Sequence, residues 1–579
     1  MDAAVAAWRR GDLKAAESAC RAVLAAGDGL EAWRLLGAVC FVGGRPREAL
    51  EAFDAALRLS PEDAIAWAHH GTALGALGRA TEALASFDRA VGLDPNDAGV
   101  WTNRGVALAA LGRATEAVAS QDRALALAPD HVEAIGARAA ALAALGRTEE
   151  ALVGYDRLIA LRPGQAEAHD DRGVILARLG RLDEALAAHD RAIALKPAAA
   201  EPHNRRGLVL ARMGRPDLAV EAYDRALAMA PDHALAWSNR GKALADQMRL
   251  DAALESLERA LSLRPDLAEA LANRGLLRLV QGDFVRGWGD YEHRWRAPDG
   301  PAIRHGDRPR WTGAEPLDGA TLLLHAEQGY GDTLQFVRYA ALAGRRGARV
   351  LVEAPPALAG LLSTLDAEVE VFAQDAPLPA FDLQCPLLSL PAAFATDEAS
   401  IPWSGPYLRP DPERTRDWRA RLGPDRRPRL GLAWSGNPAH NNDRNRSLPL
   451  ADLLGALPPD MRLIRLQTET RAEDLAFLAA RPDLALFAPK LGDFTETAAL
   501  VQACDLIISV DTAVAHLAGA LAKPVWILLP WAPDWRWGLG RKDCPWYPTA
   551  RLYRQDAARD WRAPLLALRT DVRARFRRD

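Results

Sequence analysis

Hydrophobic and polar positions follow two different rhythms along this 579-residue chain, and the rhythm changes near residue 297. In the first part, apolar residues recur three and four apart in paired blocks, the spacing of amphipathic helices. The whole pattern returns every 34 residues. Prolines mark the step at 61, 95, 129, 163, 197, 231 and 265. Glycines mark it at 37, 71, 105, 173, 207, 241 and 275, with Ala139 filling the gap. A Gly-Arg pair recurs in phase from Gly44-Arg45 to Gly214-Arg215. Trp33, Trp67, Trp101 and Trp237 mark one helix in four of the units, and Phe53, Phe87, Tyr155 and Tyr223 mark the partner helix in four. Each unit therefore reads as helix, tight glycine turn, helix, then a proline-led connection. Eight units begin near residues 30, 64, 98, 132, 166, 200, 234 and 268, preceded by a shorter hairpin over residues 1–27. A single hairpin cannot bury its apolar face, so stacking supplies the core.

This pattern resembles the tetratricopeptide repeat family and covers about half the chain. Two polar columns run through it. Asp54, Asp88, Asp122, Asp156, Asp190, Asp224, Glu258 and Glu292 form one, and Arg104, Arg138, Arg172, Arg206, Arg240 and Arg274 form the other. Their register suggests a ladder of ion pairs between repeats. A third column holds Asn103, Asn239 and Asn273, with His69 and Asp171 at equivalent positions. It resembles the asparagine column of O-linked N-acetylglucosamine transferases, which implies contact with an extended peptide; an amide offers both donor and acceptor. These three asparagines are the candidate partner-binding residues. The last unit departs from the pattern: GDFVRGWGDYEHRWR (282–296) adds Trp288 and Trp295, which are expected to dock the repeats onto the next domain.

Beyond a Pro- and Gly-rich connector, the period shortens. TLLLHA (321–326), ARVLVEA (348–354) and VEVFA (369–373) alternate with helical stretches. After a Pro/Arg-rich stretch come RLGLAWSG (429–436), MRLIRLQ (461–467), LALFA (484–488), DLIISV (505–510) and PVWILLP (524–530). Strands alternating with helices indicate two parallel sheets in tandem. The expected architecture is an all-α solenoid over residues 1–296, a linker at 297–318, one Rossmann-like lobe at 319–408, an inter-lobe linker at 409–428 and a second such lobe at 429–579.

Composition narrows the class. The formal net charge is −4, so the chain does not have the basic excess of a general nucleic-acid binder. Five scattered cysteines form no C-x-x-C pair, which points to a reducing compartment without structural zinc. The first residues lack the apolar core of a signal peptide, and no apolar run is long enough to span a bilayer. The expectation is a cytoplasmic protein.

In open α/β sheets, ligands bind beyond the carboxyl ends of the strands. There the sequence places GYGDTLQF (329–336), HNNDRNRSLPL (440–450) with Arg444, Arg446 and Ser447, and DTAVAHLAGAL beginning at Asp511. Asp511-Thr512 opens a helix, whose free N–H groups suit phosphate, and His516 falls on the Thr512 face. The arginines suit a pyrophosphate. The pattern resembles the bacterial heptosyltransferases of glycosyltransferase family 9, which have the GT-B fold. The resemblance spans about 260 residues and is densest over 491–530. It implies that Asp332 is the catalytic base, that the donor site includes Arg446, Asp493, Thr495, Asp511, Thr512 and His516, and that the reaction inverts the anomeric carbon. Ala513 departs from it, standing where the family has glycine. No Asp-X-Asp pair occurs, so no metal is expected. The tryptophans of WAPDWRW (531–537) and Trp546 suit either packing or a sugar face. The resulting expectation is a glycosyltransferase that uses a nucleotide sugar as donor substrate and no cofactor. Its repeats recruit the acceptor, which is a protein, a lipid-linked glycan or another saccharide, or a partner protein. The alternative is a non-catalytic scaffold with a degenerate transferase domain.

Overall fold

The structure is a computed structural model, describing residues 1–27, 29–365, 368–438, 442–481, 484 and 492–577. The chain divides into two compact units, Met1–Pro231 and Asp232–Asp579.

Among the described residues, the first unit holds fourteen helices in seven hairpins, from Asp2–Arg9 to Pro216–Met229. The glycines at 44, 78, 112, 146, 180 and 214 end the first helix of their hairpins at φ between 69° and 76°, a left-handed cap that costs glycine nothing. The in-phase helical glycines have another purpose. A Cβ on Gly71 would sit 2.8 Å from the Phe87 ring, and one on Gly173 would sit 2.6 Å from His189. Each such glycine makes room for the large residue sixteen positions on. Ala139 breaks the rule because the partner helix supplies the space instead. A Cβ on Gly154 would lie 2.9 Å from the Ala139 methyl.

The ladder pairs Arg104 with Asp88, Arg138 with Asp122 and Arg172 with Asp156 at 2.6 Å, and Arg206 with Asp190 at 2.7 Å. These pairs are partly exposed, so each contributes roughly 0–1 kcal/mol. Their regularity fixes register more than it adds stability. The column ends differently: Arg274 pairs forward with Asp290 at 2.7 and 2.9 Å. Glu292 leaves the ladder for Arg294 and Arg310.

The second unit begins with two hairpins, Ala234–Asp246 with Leu250–Leu263 and Ala268–Val280 with Phe284–Tyr291. A 3-10 turn, Glu292–Arg296, follows. Two sheets come next, parallel throughout. The first contains β1 (Thr321–His325), β2 (Arg349–Ala354), β3 (Val369–Ala373) and β4 (Leu383–Pro386) in the order β3-β2-β1-β4. The second contains β5 (Arg429–Ala433), β6 (Arg462–Arg465), β7 (Leu506–Val510), β8 (Val525–Leu529) and β9 (Ala550–Arg554) in the order β6-β5-β7-β8-β9. β7 and β8 are buried along their whole length, as expected for parallel strands covered on both faces. The sequence pattern did not single out β4 or β9. Residues 485–488 of the expected LALFA strand lie outside the described residues.

The connector at 297–318 is not a free linker. The Trp311 N–H donates to the Gln384 carbonyl at 2.8 Å, and the Gln384 N–H donates to the Pro309 carbonyl at 3.0 Å. The last hairpin shares the α/β core. Phe284, Trp288 and Tyr291 are buried in one cluster with Phe336, Trp535 and Trp546. The Trp288 indole N–H donates to the Thr396 carbonyl at 2.9 Å.

Candidate functional site

β5 and β7 are the neighbours at which the second sheet reverses its winding, the place where such sheets bind ligands. The loop after β5 is held by a polar relay. The backbone N–H groups of Trp434 and Ser435 donate to Gln467 Oε1 at 3.1 and 3.0 Å. The Gly436 N–H donates to Ser447 Oγ at 3.0 Å, and Ser447 donates to Asp443 Oδ1 at 2.9 Å. Ser447 is therefore buried in this relay. Arg446 packs on Gly436, where a Cβ would lie 2.6 Å from Nε. Its Nη1 donates to the Asp511 carbonyl at 3.0 Å, bridging the β5 and β7 loops. Its Nε is buried, makes no hydrogen bond among the described residues and lies 3.7 Å from the Asp443 carboxylate. Arg444 is exposed on the same short helix.

Thr512 immediately precedes the helix Ala513–Ala520 without a side-chain capping bond, and its hydroxyl lies 3.1 Å from Ser509 Oγ. The Asp511 carboxyl is pushed above its ordinary range, first by burial and next by the Asp534 charge. His516 is buried, with Nδ1 3.0 Å from the Tyr547 hydroxyl and its ring centroid 5.3 Å from that of Trp537. Burial pushes its pKa well below the ordinary value, and Arg536, Arg338 and Arg446 push it further the same way. The imidazole is therefore neutral and lies in the field of three guanidiniums. The Asp511 carboxylate lies 3.8 Å from Nε2.

The helix after β1 closes on this group. Asp332 Oδ2 accepts the Gly329 N–H at 2.9 Å at the start of helix Tyr330–Phe336. Its other oxygen is held by Arg536. Arg536 is 7% exposed and also donates to Gln335 Oε1 at 2.7 Å and to Asp534 Oδ1 at 2.9 Å. Its guanidinium carbon lies 4.4 Å from the Trp535 ring centroid. A Cβ on Gly331 would lie 2.7 Å from His516 Cδ2. The two lobes thus meet where the candidate base faces the candidate donor loop. Asp493 caps helix Phe494–Ala503, accepting the Glu496 N–H at 2.9 Å. Thr495 faces the first lobe, its hydroxyl 3.0 Å from where a Cβ on Gly360 would be.

Arg536 lies within WAPDWRW, a stretch whose tryptophans overshadow it in the sequence. Trp535, Trp537 and Trp546 are 5%, 0% and 0% exposed, so they pack the core and present no face to a sugar. Charged residues inside so apolar a stretch need buried partners, and that was the available signal. In the first unit, Asn103 is exposed; in the second, Asn239 and Asn273 are half-buried. Among the described residues, Glu17, Cys40 and Glu48 cluster closely enough for a metal. Glu17, however, is engaged by Arg21 at 2.9 Å and by Arg45, which also pairs with Glu48 at 2.9 Å.

Comparison with known proteins separates a repeat part from a transferase-like part. The tetratricopeptide repeat family matches residues 1–66, 69–132 and 204–268, and a further repeat match covers 173–214. Glycosyltransferase family 9 (heptosyltransferase) matches residues 465–529. Protein FlbA of Caulobacter vibrioides is 29% identical over 329 residues, covering 51% of this chain and 53% of FlbA. The chain thus spans about half the length of that curated relative. Among solved structures, YrrB, a TPR protein with an unusual peptide-binding site, is 28% identical over 32% of this chain and 96% of its own, with a TM-score of 0.29. The APC/C hetero-tetramer Cut9–Hcn1 is 20% identical over 50% of this chain and 57% of its own, with a TM-score of 0.36. The chain combines tetratricopeptide repeats with a glycosyltransferase family 9 segment. Among the described residues, no helix is long and apolar enough to cross a membrane.

Proposed function

We propose that the α/β module transfers a sugar from a nucleotide donor to an acceptor that the repeats recruit, as a protein or with a partner protein. One observation carries this reading. Arg446 bridges the two loops of the β5–β7 switch point beside a helix start, with its Nε 3.7 Å from the Asp443 carboxylate. The β7 loop and that helix start lie inside the family 9 segment. The donor diphosphate is seated at the free N–H groups after Thr512, with Arg446 and Arg444 supplying charge. Asp511 and Ser447 hold the loops in place, and Asp493 and Thr495 form the adjoining wall.

The acceptor hydroxyl gives its proton to Asp332, and its oxygen attacks the anomeric carbon. The bond from that carbon to the diphosphate breaks, and its electron pair leaves on the diphosphate oxygen. Arg446 and the helix start stabilise that charge. Asp332 then releases its proton to solvent. This reading includes inversion at the anomeric carbon, no metal and no cofactor. Because Asp332 is paired with Arg536, the pair must separate before the hydroxyl can approach. Five free, buried cysteines support a reducing, cytoplasmic setting.

The contact of Gly331 with His516 and the methyl of Ala513 favour a second reading, a scaffold whose cleft stays shut. Calorimetry with uridine, guanosine and adenosine diphosphates separates the two. Binding to the full chain, weakened about tenfold or more by Arg446→Met, supports the transferase. No binding to any of the three supports the scaffold.

A further inference from the structure

The last hairpin ends inside the first lobe, at the point where that lobe's own sheet changes direction. β1 lies between β2 and β4, so the crevice beyond the ends of β1 and β4 is where an open sheet would bind a ligand. Arg294, from the 3-10 turn that closes the repeats, fills it. Its Nε and Nη2 donate to the two oxygens of Glu327 at 3.0 and 2.9 Å, a planar fork on a carboxylate. Nη2 also reaches Ser389 Oγ at 2.8 Å, and Nη1 reaches Glu292 at 2.6 Å. Glu327 follows β1 and Ser389 follows β4, so one guanidinium spans both sides of the crevice. Arg294 is 5% exposed. It lies between two rings, 4.5 Å from the Tyr291 centroid and 4.8 Å from that of Trp295.

The contacts continue toward the candidate base. Gln328 donates to Glu327 Oε1 at 3.2 Å and to the Tyr291 hydroxyl at 3.4 Å. The next residue, Gly329, is the one capped by Asp332. On the other side of the cleft, Trp288 packs edge-on against Trp535 at 5.0 Å, next to Arg536. Both loops that meet at Asp332–Arg536 therefore rest on the same hairpin.

We infer that Arg294 is a positioning residue for the transferase module: it occupies the first lobe's ligand crevice and sets the loop that carries Asp332. Its importance for transfer rests on the reading of Asp332 given above; its hold on the loop does not. Burial raises the Glu327 carboxyl and Arg294 opposes that rise, so removing the arginine strands a buried acid and frees the loop. A further consequence is that no acceptor sugar binds in the crevice beyond β1 and β4. The acceptor reaches Asp332 from the inter-lobe side.

The test uses the full chain with Arg294→Gln and Arg294→Lys, and hydrogen–deuterium exchange as the first readout. Arg294→Gln is expected to speed exchange over residues 327–333 about tenfold or more, leaving residues 64–93 unchanged. Arg294→Lys, which keeps the charge, is expected to restore part of the protection and guards against a misfolded variant. Turnover, measured with whichever nucleotide sugar the wild type hydrolyses, is expected to fall about ten- to a hundredfold while donor KM stays within about threefold. Unchanged exchange at 327–333 overturns the inference. Faster exchange with unchanged turnover leaves the positioning intact and removes Asp332 from the chemistry.

Discussion

Replacing Arg536 with methionine isolates what holds the cleft shut. Methionine keeps the apolar stem against Trp535 and Phe336 but removes the guanidinium. Two of its bonds cross between lobes, to Asp332 and to Gln335, whereas the Asp534 bond stays within its own loop. The Gln335 bond involves a charged donor and contributes about 1.5 kcal/mol, the lower end for such bonds. The Asp332 side chain is 22% exposed, so solvent screening lowers that pair to about 1 kcal/mol. The sum, near 2.5 kcal/mol, corresponds to roughly a seventyfold shift toward the open cleft. Exchange at residues 330–336 and 513–520 is expected to rise accordingly. A nucleoside diphosphate that needs the open cleft is expected to bind up to that factor more tightly. Calorimetry with uridine and guanosine diphosphates on both proteins gives the sign. Weaker binding by the variant would refute the reasoning, because Arg536 would then be a donor ligand and not a clamp.

Three further outcomes are expected. Gly71→Ala and Gly75→Ala lie one turn apart, yet only the first meets Phe87, while nothing lies within 4 Å of the second; exchange over residues 64–93 should quicken for the former and slow for the latter. The propensity gain of about 0.5–1 kcal/mol is common to both, and overpacking of about 1–3 kcal/mol is confined to Gly71; equal effects would sink the packing argument. His516 has a folded pKa far below its unfolded value of 6.5, so the unfolded chain binds the extra proton as pH drops below about 6.5 and stability falls. His516→Gln should lose less melting temperature than wild type between pH 6.5 and 5, and identical slopes would show that the imidazole is not buried neutral. Deleting residues 1–231, the first compact unit, should leave nucleotide binding within about threefold and impair transfer to a protein acceptor; undiminished transfer would detach the repeats from acceptor delivery.

The repeat half was legible because its constraint is local and repeated. Gly71 and Phe87 are sixteen residues apart in one hairpin, and the spacing recurs until chance is excluded. β7 and β8 were legible as continuous apolar runs. β4, with the sequence LQCP, and β9, with ARLYR, were not, since each mixes polar residues into a short strand whose position comes from its neighbours. The site was half visible. Asp511, Thr512 and Arg446 lie in short segments whose chemistry suggests a phosphate. Arg536 and Arg294 were missed because their meaning lies in partners 204 and 33 residues away, and no local pattern encodes such a pairing. The tryptophans around Arg536 drew attention to stacking on a ligand, when they serve to exclude water from an ion pair.

The rungs of the Asp–Arg ladder bear on how such a chain changes length. Each rung joins residues sixteen apart, and the rungs recur every thirty-four. Loss or duplication of one whole 34-residue unit between Asp88 and Arg206 therefore leaves every remaining rung with a partner of the same kind. Recombination between repeats can lengthen or shorten this stretch a hairpin at a time. The final hairpin has no such freedom, because its arginine and tryptophan fit one lobe in one register.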